Sequence, residues 1–433
     1  MVTWNAGPNR DTQRRAINVG IIECYKRTEV GAIPEQWQVK QLGQMSQFIT
    51  SGSRGWAKYY SDRGPLFVRS QNIRDGRLDF TDRQCVIPPA GSEGRRTRLN
   101  CNDLLITITG NSVGNVAWVE RDLGEAYISQ HVGLARLLEP SFAEYVCLFL
   151  APGSPGNRQI WASQTGQSKP GLNLRNLENF WVALPSPPEQ RAIVTALRHA
   201  DALIDSLEQL IAKKRSVKQG TVQELFRPNS DHQSRPLCEV SSLKGRIGWQ
   251  GLKQTEFTTN EDDPFLITGM NFKDGAIHWH EVYHVSEARY QMAPEIQLRQ
   301  DDVLMTKDGT IGKLLYVDEI PHPRKASLNS HLLLFRPIKE SYIPKYLYYQ
   351  LDSQRFRDFI ELRKSGTTFF GISQKAVGEF SIVLPSFEQQ QNIVAILSDM
   401  DTEISALEAR LTKARQIKQG MMQQLLTGRI RLL

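Results

Sequence analysis

The chain has 433 residues, 40% hydrophobic and 23% charged, with a net charge of +7 and a pI near 9.1. That length exceeds what one core usually serves and predicts two or three folded, soluble domains; the modest basic excess favours polyanionic partners without singling one out. The most apolar stretches, such as YVCLFLA from Tyr145, are too short to cross a bilayer, and the five cysteines (Cys24, Cys85, Cys101, Cys147, Cys238) are scattered and never form C-x-x-C. A disulfide framework, a zinc site and a membrane span are therefore not expected, and the cytoplasm is the expected compartment.

Residues 1–30 read as an N-terminal arm, with a position against the end of the last helix as its one suggested role. Residues 31–183 form a first globular unit. Its β-rich runs LLITI and NVAWVE, bounded by Asn, Gly and Asp, predict strands and turns, and FAEYVCLFLA predicts a helix after them. The loop SGSRGWAKYY from Ser51 combines glycines, basic residues and a tryptophan, so Arg54, Trp56 and Lys58 are candidate binding residues: glycine permits close backbone approach, Arg and Lys meet phosphate or guanine, and tryptophan offers a flat apolar contact. The alternative is a turn whose tryptophan plugs the core. Further candidates are Gln71, Asn72, Arg95, Arg98, Thr107, Thr109, Asn111, Gln130 and His131; for each, a solvated turn or a structural role competes.

Residues 184–228 predict a long helix opening on LPSPPEQ at Leu184, with Pro188 near its start and Pro228 beyond its end. Its apolar residues Ile193, Leu197, Ala200, Ile204, Leu207, Ile211, Val222 and Leu225 step as a heptad seam, interrupted by Lys214. Residues 229–383 form a second unit of the same kind, with VLMT and LLYVD as strands and IPKYLYYQLDSQRFRDFIEL as helix. Its candidates are Arg246, Trp249 and Lys253 in KGRIGWQGLKQ, then Thr268, Asn271, Lys307, Thr310, Ser330 and His331. Residues 384–433 repeat the helix: LPSFEQQ opens at Leu384, and Ile393, Leu397, Met400, Ile404, Leu407, Leu411, Ala414, Met421 and Leu425 continue the seam. At 1.5 Å per residue each helix is about 60 Å long.

The two helices match without a gap at an offset of 200, through KQG at 218–220 and 418–420. The units before them match in order: NIRDGRL with NFKDGAI, NDLLITITGNSVGNVAWVE with DDVLMTKDGTIGKLLYVD, and SQHVGLARLLEP with NSHLLLFRPIKE. The whole domain-plus-helix unit is duplicated. Because one helix leaves the first unit for the second and the other leaves the second, paired helices must run antiparallel. The fold class expected is α+β: two similar α+β domains joined by two long antiparallel coiled-coil helices with internal pseudo-twofold symmetry.

No catalytic motif accompanies this architecture. DGTIGK at 308–313 lacks the P-loop glycine, Lys307 standing in its place, and Leu314 replaces Ser or Thr. No N-P-P-[YF], G-x-S-x-G or H-E-x-x-H is present. The weight moves to recognition, with a protein-bridging coiled-coil scaffold and an enzyme of unfamiliar type as competing classes.

The helix openings LPSPPEQ and LPSFEQQ, the closing KQG, GAIPEQWQVKQLG from Gly31, LLITITGNSVGN, SQH at 129–131 and LLTGRI near the end resemble the specificity (S) subunit of a type I restriction-modification system. The resemblance spans the chain from about Tyr25 onward. It implies two target recognition domains, each reading one half of a bipartite asymmetric sequence in double-stranded DNA. It also implies a helical spacer that docks two modification (adenine methyltransferase) subunits, with restriction subunits joining. S-adenosylmethionine, ATP and Mg would belong to those partners, with no cofactor on this chain and no catalytic residue in it.

Overall fold

The computed structural model describes residues 17–18, 21–22, 24–74, 76–88, 91–164, 171–227, 233–246, 251–273, 276–321, 324–365 and 370–432. Trp249, Pro228 and residues 1–16, 19–20 and 23 of the expected N-terminal arm lie outside the described residues. The chain divides into two compact units: unit 1 is Met1–Leu207 with Arg410–Leu433, and unit 2 is Glu208–Ala409.

In unit 1 the strands are β1 (Tyr25–Thr28), β2 (Gly31–Pro34), β3 (Gln38–Gln41), β4 (Ser46–Ser51), β5 (Tyr60–Val68), β6 (Cys85–Val86), β7 (Leu104–Thr107), β8 (Val116–Trp118), β9 (Ala126–Ile128) and β10 (Val132–Leu137). They are followed by α1 (Ala143–Leu150), α2 (Asn157–Ala162), α3 (Leu174–Glu178), β11 (Trp181–Leu184) and α4 (Pro187–Leu225). An antiparallel sheet runs β8-β7-β10-β4, and a second sheet runs β6-β5-β9 with β5 and β9 parallel. β7 is buried throughout because both its faces are covered. Leu104 and Ile106 point into the core shared with α1, while Leu105 points into the core under Val68 and Ile128, the two-residue alternation of a strand.

Unit 2 repeats this plan. Its strands are β12 (Gln233–Pro236), β13 (Ser241–Lys244), β14 (Phe257–Thr258), β15 (Phe265–Ile267), β16 (Tyr283–Val285), β17 (Val303–Thr306), β18 (Leu314–Tyr316), β19 (Ala326–Leu328) and β20 (Leu332–Pro337). Then come α5 (Pro344–Leu351), α6 (Gln354–Arg363), α7 (Gln374–Gly378), β21 (Ser381–Leu384) and α8 (Phe387–Leu425). The order β13-β20-β17-β18 copies β4-β10-β7-β8, and β15 pairs parallel with β19 as β5 does with β9. Val303 and Met305 face one core and Leu304 the other.

The same buried ion pair ties both frames. Arg136 donates from Nε and Nη2 to Asp103 at 2.7 Å each, and Arg336 donates to Asp302 at 2.6 and 2.7 Å. Each aspartate also accepts a backbone N–H, from Asn100 or Arg299, at 2.7 Å. A buried carboxylate needs such a full set of donors to offset its lost hydration.

The repeated LPS openings form the corner where each unit's last strand turns into its long helix. Gln190 Nε2 donates to Pro185 O at 2.9 Å and Gln390 Nε2 to Pro385 O at 3.0 Å, both side chains being buried. These bonds satisfy carbonyls that the proline corner would otherwise bury unpaired.

Both long helices have 39 residues. In unit 1, Ile193 and Leu197 share a core with Met422, Leu425 and Leu426; in unit 2, Leu397 shares one with Val222 and Phe226, flanked by Ile393 and Met400. The start of one helix thus packs on the end of the other in each unit, the antiparallel arrangement. Ile204, Leu207, Ile211 and Ile404 are buried, and Leu407 and Leu411 are half-buried. Near the end of α8 Met422 is buried and Met421 is half-buried against the same core. Lys418 takes a seam step in place of an apolar residue, as does Lys218 in α4, so Lys214 is not the sole charged interruption.

Candidate nucleic-acid interface

In unit 1 the candidate segments are stitched around Ser129–Val132, the link from β9 to β10. The Ser129 N–H donates to Val68 O at 2.9 Å, drawing in the turn that carries Gln71. The Ile108 N–H donates to His131 O at 2.9 Å, drawing in the β7–β8 turn with Thr109 and Asn111. The Gly52 N–H donates to Val132 O at 3.3 Å, bringing the loop with Arg54 and Lys58. A Cβ on Gly52 would stand 2.2 Å from the Ser129 carbonyl carbon, so only glycine permits this approach. Arg96 then binds Thr50 Oγ1, Ser51 O at 2.7 Å and Ser53 Oγ at 2.8 Å, which places the segment of Arg95 and Arg98 beside that loop.

Unit 2 is stitched in the same way. The Asn329 N–H donates to Ile267 O at 3.0 Å and the Lys307 N–H to His331 O at 2.9 Å. A Cβ on Gly269 would lie 2.9 Å from Thr306 Cγ2, and one on Gly245 would lie 2.9 Å from Leu332 O. Lys307, Thr310, Ser330 and His331 therefore meet beside the Gly269–Asn271 turn.

The surface these segments offer differs between the units. Unit 1 exposes Arg54, Lys58, Gln71, Arg95, Arg98, Asn111 and His131, with Thr109 and Gln130 half-exposed. There Thr109 Oγ1 bonds His131 Nδ1, while Gln130 Nε2 reaches His131 Nε2 at 3.1 Å. If the amide donates to Nε2, the proton sits on Nδ1 and is donated to Thr109. In unit 2 the partner of His331 Nδ1 is a carboxylate, Asp308 Oδ2 at 3.2 Å. Lys253, Thr310, Met270 and His331 are exposed, and Lys307 and Ser330 are half-exposed.

Six candidates are corrected from reading residues to frame residues. Trp56 is 3% exposed, stacked on Phe67 at 5.7 Å and 5.5 Å from Tyr127; the tryptophan plugs the core. Thr107 is fully buried in β7. Asn72 and Asn271 are buried turn clamps: Asn72 Oδ1 accepts from the Arg69 N–H at 2.9 Å, and Asn271 Oδ1 accepts from the N–H and the hydroxyl of buried Thr268 at 2.8 and 2.9 Å. Arg246 turns inward to Leu328 O at 2.5 Å and Ser327 Oγ at 3.1 Å, and burial lowers its guanidinium to about 10. For Asn72, Thr268 and Asn271 the cause is that such a turn spends its polar groups on itself, whereas Trp56 packs on neighbouring rings, Thr107 lies within a strand and Arg246 bonds a neighbouring strand.

Sequence reasoning missed Met270, which is 71% exposed on the tip where unit 1 carries Gln71. The signal was present, since both residues immediately precede the clamp asparagine. Arg96, within the RRTR cluster from Arg95, is exposed, and its bonds across to Thr50, Ser51 and Ser53 leave no mark in the sequence.

A single frame built twice, with differing exposed tips and a shared pair of helices, defines a duplicated α+β scaffold. Residues 231–418 match the Type I restriction modification DNA specificity domain, and the resemblance to type I specificity subunits holds in sequence and in fold. A relative assigned as the specificity subunit of the type I restriction enzyme MjaX of Methanocaldococcus jannaschii is 23% identical over 427 residues, covering 94% of this chain and 97% of that one. A solved chain from work on complex assembly and conformational transition of the type I R-M system superposes with a TM-score of 0.60 at 20% identity, covering 92% of this chain and 99% of its own. The type I S subunit from M. genitalium gives a TM-score of 0.51 at 15% identity, covering 90% and 96%. These two solved chains bear on the fold. Among the described residues, no helix is long and apolar enough to cross a membrane.

Proposed function

We propose that this chain is the DNA-reading subunit of a type I restriction-modification complex, with each α+β head reading one half of a bipartite, asymmetric site. The observation that carries this reading is the duplicated frame with non-identical tips: Gln71 against Met270, and Thr109 against Asp308 beside equivalent histidines. Different half-sites require such a pairing. Base edges would be met by the tips, while exposed Arg54, Lys58, Arg95, Arg98 and Lys253 and half-exposed Lys307 hold phosphates and make binding salt-sensitive.

Two weak readers on one stiff helical pair gain affinity because the second contact becomes intramolecular, and the gain is lost when the half-sites are wrongly spaced. The helices in this reading are both ruler and dock for two modification subunits, with restriction subunits joining the assembly. Methylation with S-adenosylmethionine and ATP- and Mg-dependent translocation belong to those partners, and this chain works as a non-catalytic member, in the cytoplasm. The relatives' naming as specificity subunits supports this.

Selection from random double-stranded DNA at two salt concentrations, followed by sequencing, tests the proposal. Two short conserved half-sites at fixed spacing are expected, with affinity falling steeply as salt rises. A chain that enriches no sequence and binds DNA at neither salt concentration is instead a protein-bridging scaffold. A host methylation map with and without the protein would give target and partner activity together.

A further inference from the structure

The loops that follow the two clamp asparagines have equal length but are closed differently. In unit 1 the Asp79 N–H donates to Asn72 O at 2.8 Å, and Asn72 Nδ2 donates to the carbonyls of Asp79 and Asp82 at 2.9 and 3.0 Å. A cation completes the closure: Arg69 Nη2 lies 2.9 Å from Asp82 Oδ1, and Gln71 Nε2 donates to Asp82 Oδ2 at 2.5 Å. Thr81 Oγ1 donates to Asp79 Oδ1 at 2.7 Å. Three side chains, Asp79, Thr81 and Asp82, are thus held by a guanidinium, an amide and each other.

Unit 2 keeps the backbone half of this arrangement. The His278 N–H donates to Asn271 O at 3.2 Å, and Asn271 Nδ2 donates to Glu281 O at 3.1 Å. The side chains change together. Thr268 stands where Arg69 stood, and His278, His280 and Glu281 occupy the places of Asp79, Thr81 and Asp82. The ligand atoms of these three lie within 4.8 Å of one another, with His280 Nε2 3.7 Å from Glu281 Oε1. Among the described residues this is the one such group of His, Cys, Asp or Glu.

We infer that His278, His280 and Glu281 form a binding site for a divalent transition-metal ion, zinc foremost, which closes loop 271–281 of unit 2 as Arg69 closes the corresponding loop of unit 1. Two imidazoles and one carboxylate are a borderline donor set that suits zinc better than magnesium or calcium. Ligands about 2.0–2.2 Å from a tetrahedral ion stand about 3.4 Å apart, so the group must contract by roughly an ångström. The side chains of His280 and Glu281, 77% and 47% exposed, have room to do so. The fourth position stays open to water. The absence of cysteine clusters, which argued against a zinc site in the sequence, does not bear on a site of this composition. Its place on the loop behind Met270 makes the ion a stiffener of that tip rather than part of a reaction.

Isothermal titration of the untagged, chelator-treated full chain with zinc chloride tests the site. One equivalent is expected to bind, and His278→Ala and His280→Ala are each expected to weaken it at least ten-fold while leaving the far-ultraviolet circular dichroism unchanged. Hydrogen exchange should slow at 271–281 on zinc addition and not at 72–82. No binding up to millimolar zinc, binding that both variants retain, or exchange at 271–281 that zinc leaves unchanged would each overturn the inference. None of these outcomes depends on whether the chain binds DNA.

Discussion

Lys218 Nζ lies 2.5 Å from Asp401 Oδ1 in unit 2, and its equivalent by the 200-residue offset, Lys418 Nζ, lies 2.6 Å from Asp201 Oδ1 in unit 1. Two charged residues on the helix seam are thus partnered by one another's repeat equivalents. An antiparallel pairing of repeated sequences puts residue i of one helix opposite residue j of the other, and j opposite i, so an ion pair recurs wherever both of its residues are repeated. A slip of one turn would break both. The pairs set register more than they add stability, the best-attested use of polar groups in coiled-coil seams.

Removing Asp201 leaves Lys418, and also Arg77 at 3.5 Å, without this carboxylate. A double-mutant cycle of Asp201→Ala and Lys418→Ala, followed by chemical denaturation, should give a coupling of about 1 kcal/mol. A coupling of zero would mean that the seam's register is held by its apolar residues alone.

Trp56→Ala should destabilise unit 1 by about 3–5 kcal/mol, the cost of emptying an aromatic site in a core. Calorimetry should register this as a lower melting temperature, together with general weakening of DNA binding. An unaltered melting temperature with a changed half-site preference would return Trp56 to the reading surface.

Exchanging the tips, Gln71→Met and Met270→Gln, should change stability by no more than about 1 kcal/mol, because both side chains are exposed and Gln71 gives up only one exposed hydrogen bond, to Asp82. On the proposed function each exchange alters preference at one half-site only. Selected-site sequencing of the two variants decides this, and identical preferences before and after would remove the tips from the reading set.

Burial raises the carboxyl of Asp302 above its ordinary value of 3.8 even though Arg336 opposes the shift. A raised folded-state value means that the associated stability is fully present below the unfolded value and is lost as pH rises through the folded one. Arg336→Ala removes the opposing cation and pushes the carboxyl further up. Its loss of stability should therefore be larger at pH 8 than at pH 4, measured by denaturant titration at both. Equal losses would show that Arg336 acts through packing instead.

Lengthening both long helices by four residues at matching points adds about 6 Å at 1.5 Å per residue. Under the proposed function the preferred half-site spacing moves by one or a few base pairs while the half-site sequences stay as they were. Unmoved spacing in a selection experiment would end the ruler reading.

The repeat, the antiparallel helices and the α+β plan of each unit were legible because they rest on long-range periodicity, which one sequence carries in full. The reading residues were less so. Arg246 and Arg54 occupy similar Gly-rich loops, yet one turns inward to Leu328 O and the other is exposed. That choice depends on which carbonyls a neighbouring strand leaves open, a tertiary fact. Asn72 and Asn271 misled for a related reason, since a side chain able to bond a base is equally able to clamp its own turn. The seam was read correctly except where a lysine took an apolar step.

The core of unit 1 draws on Met422, Leu425 and Leu426, and Tyr25 Oη donates to Gly428 O at 3.0 Å, so an early part of the chain packs against a late one. On a ribosome that works from the amino terminus, unit 1 is made first but lacks part of its core until the final turn of α8 emerges. Unit 2, assembled from residues 208–409, has all its pieces sooner. Order of synthesis and order of completion are therefore opposed. A premature stop at Met422 would strike unit 1, most of which is encoded far upstream.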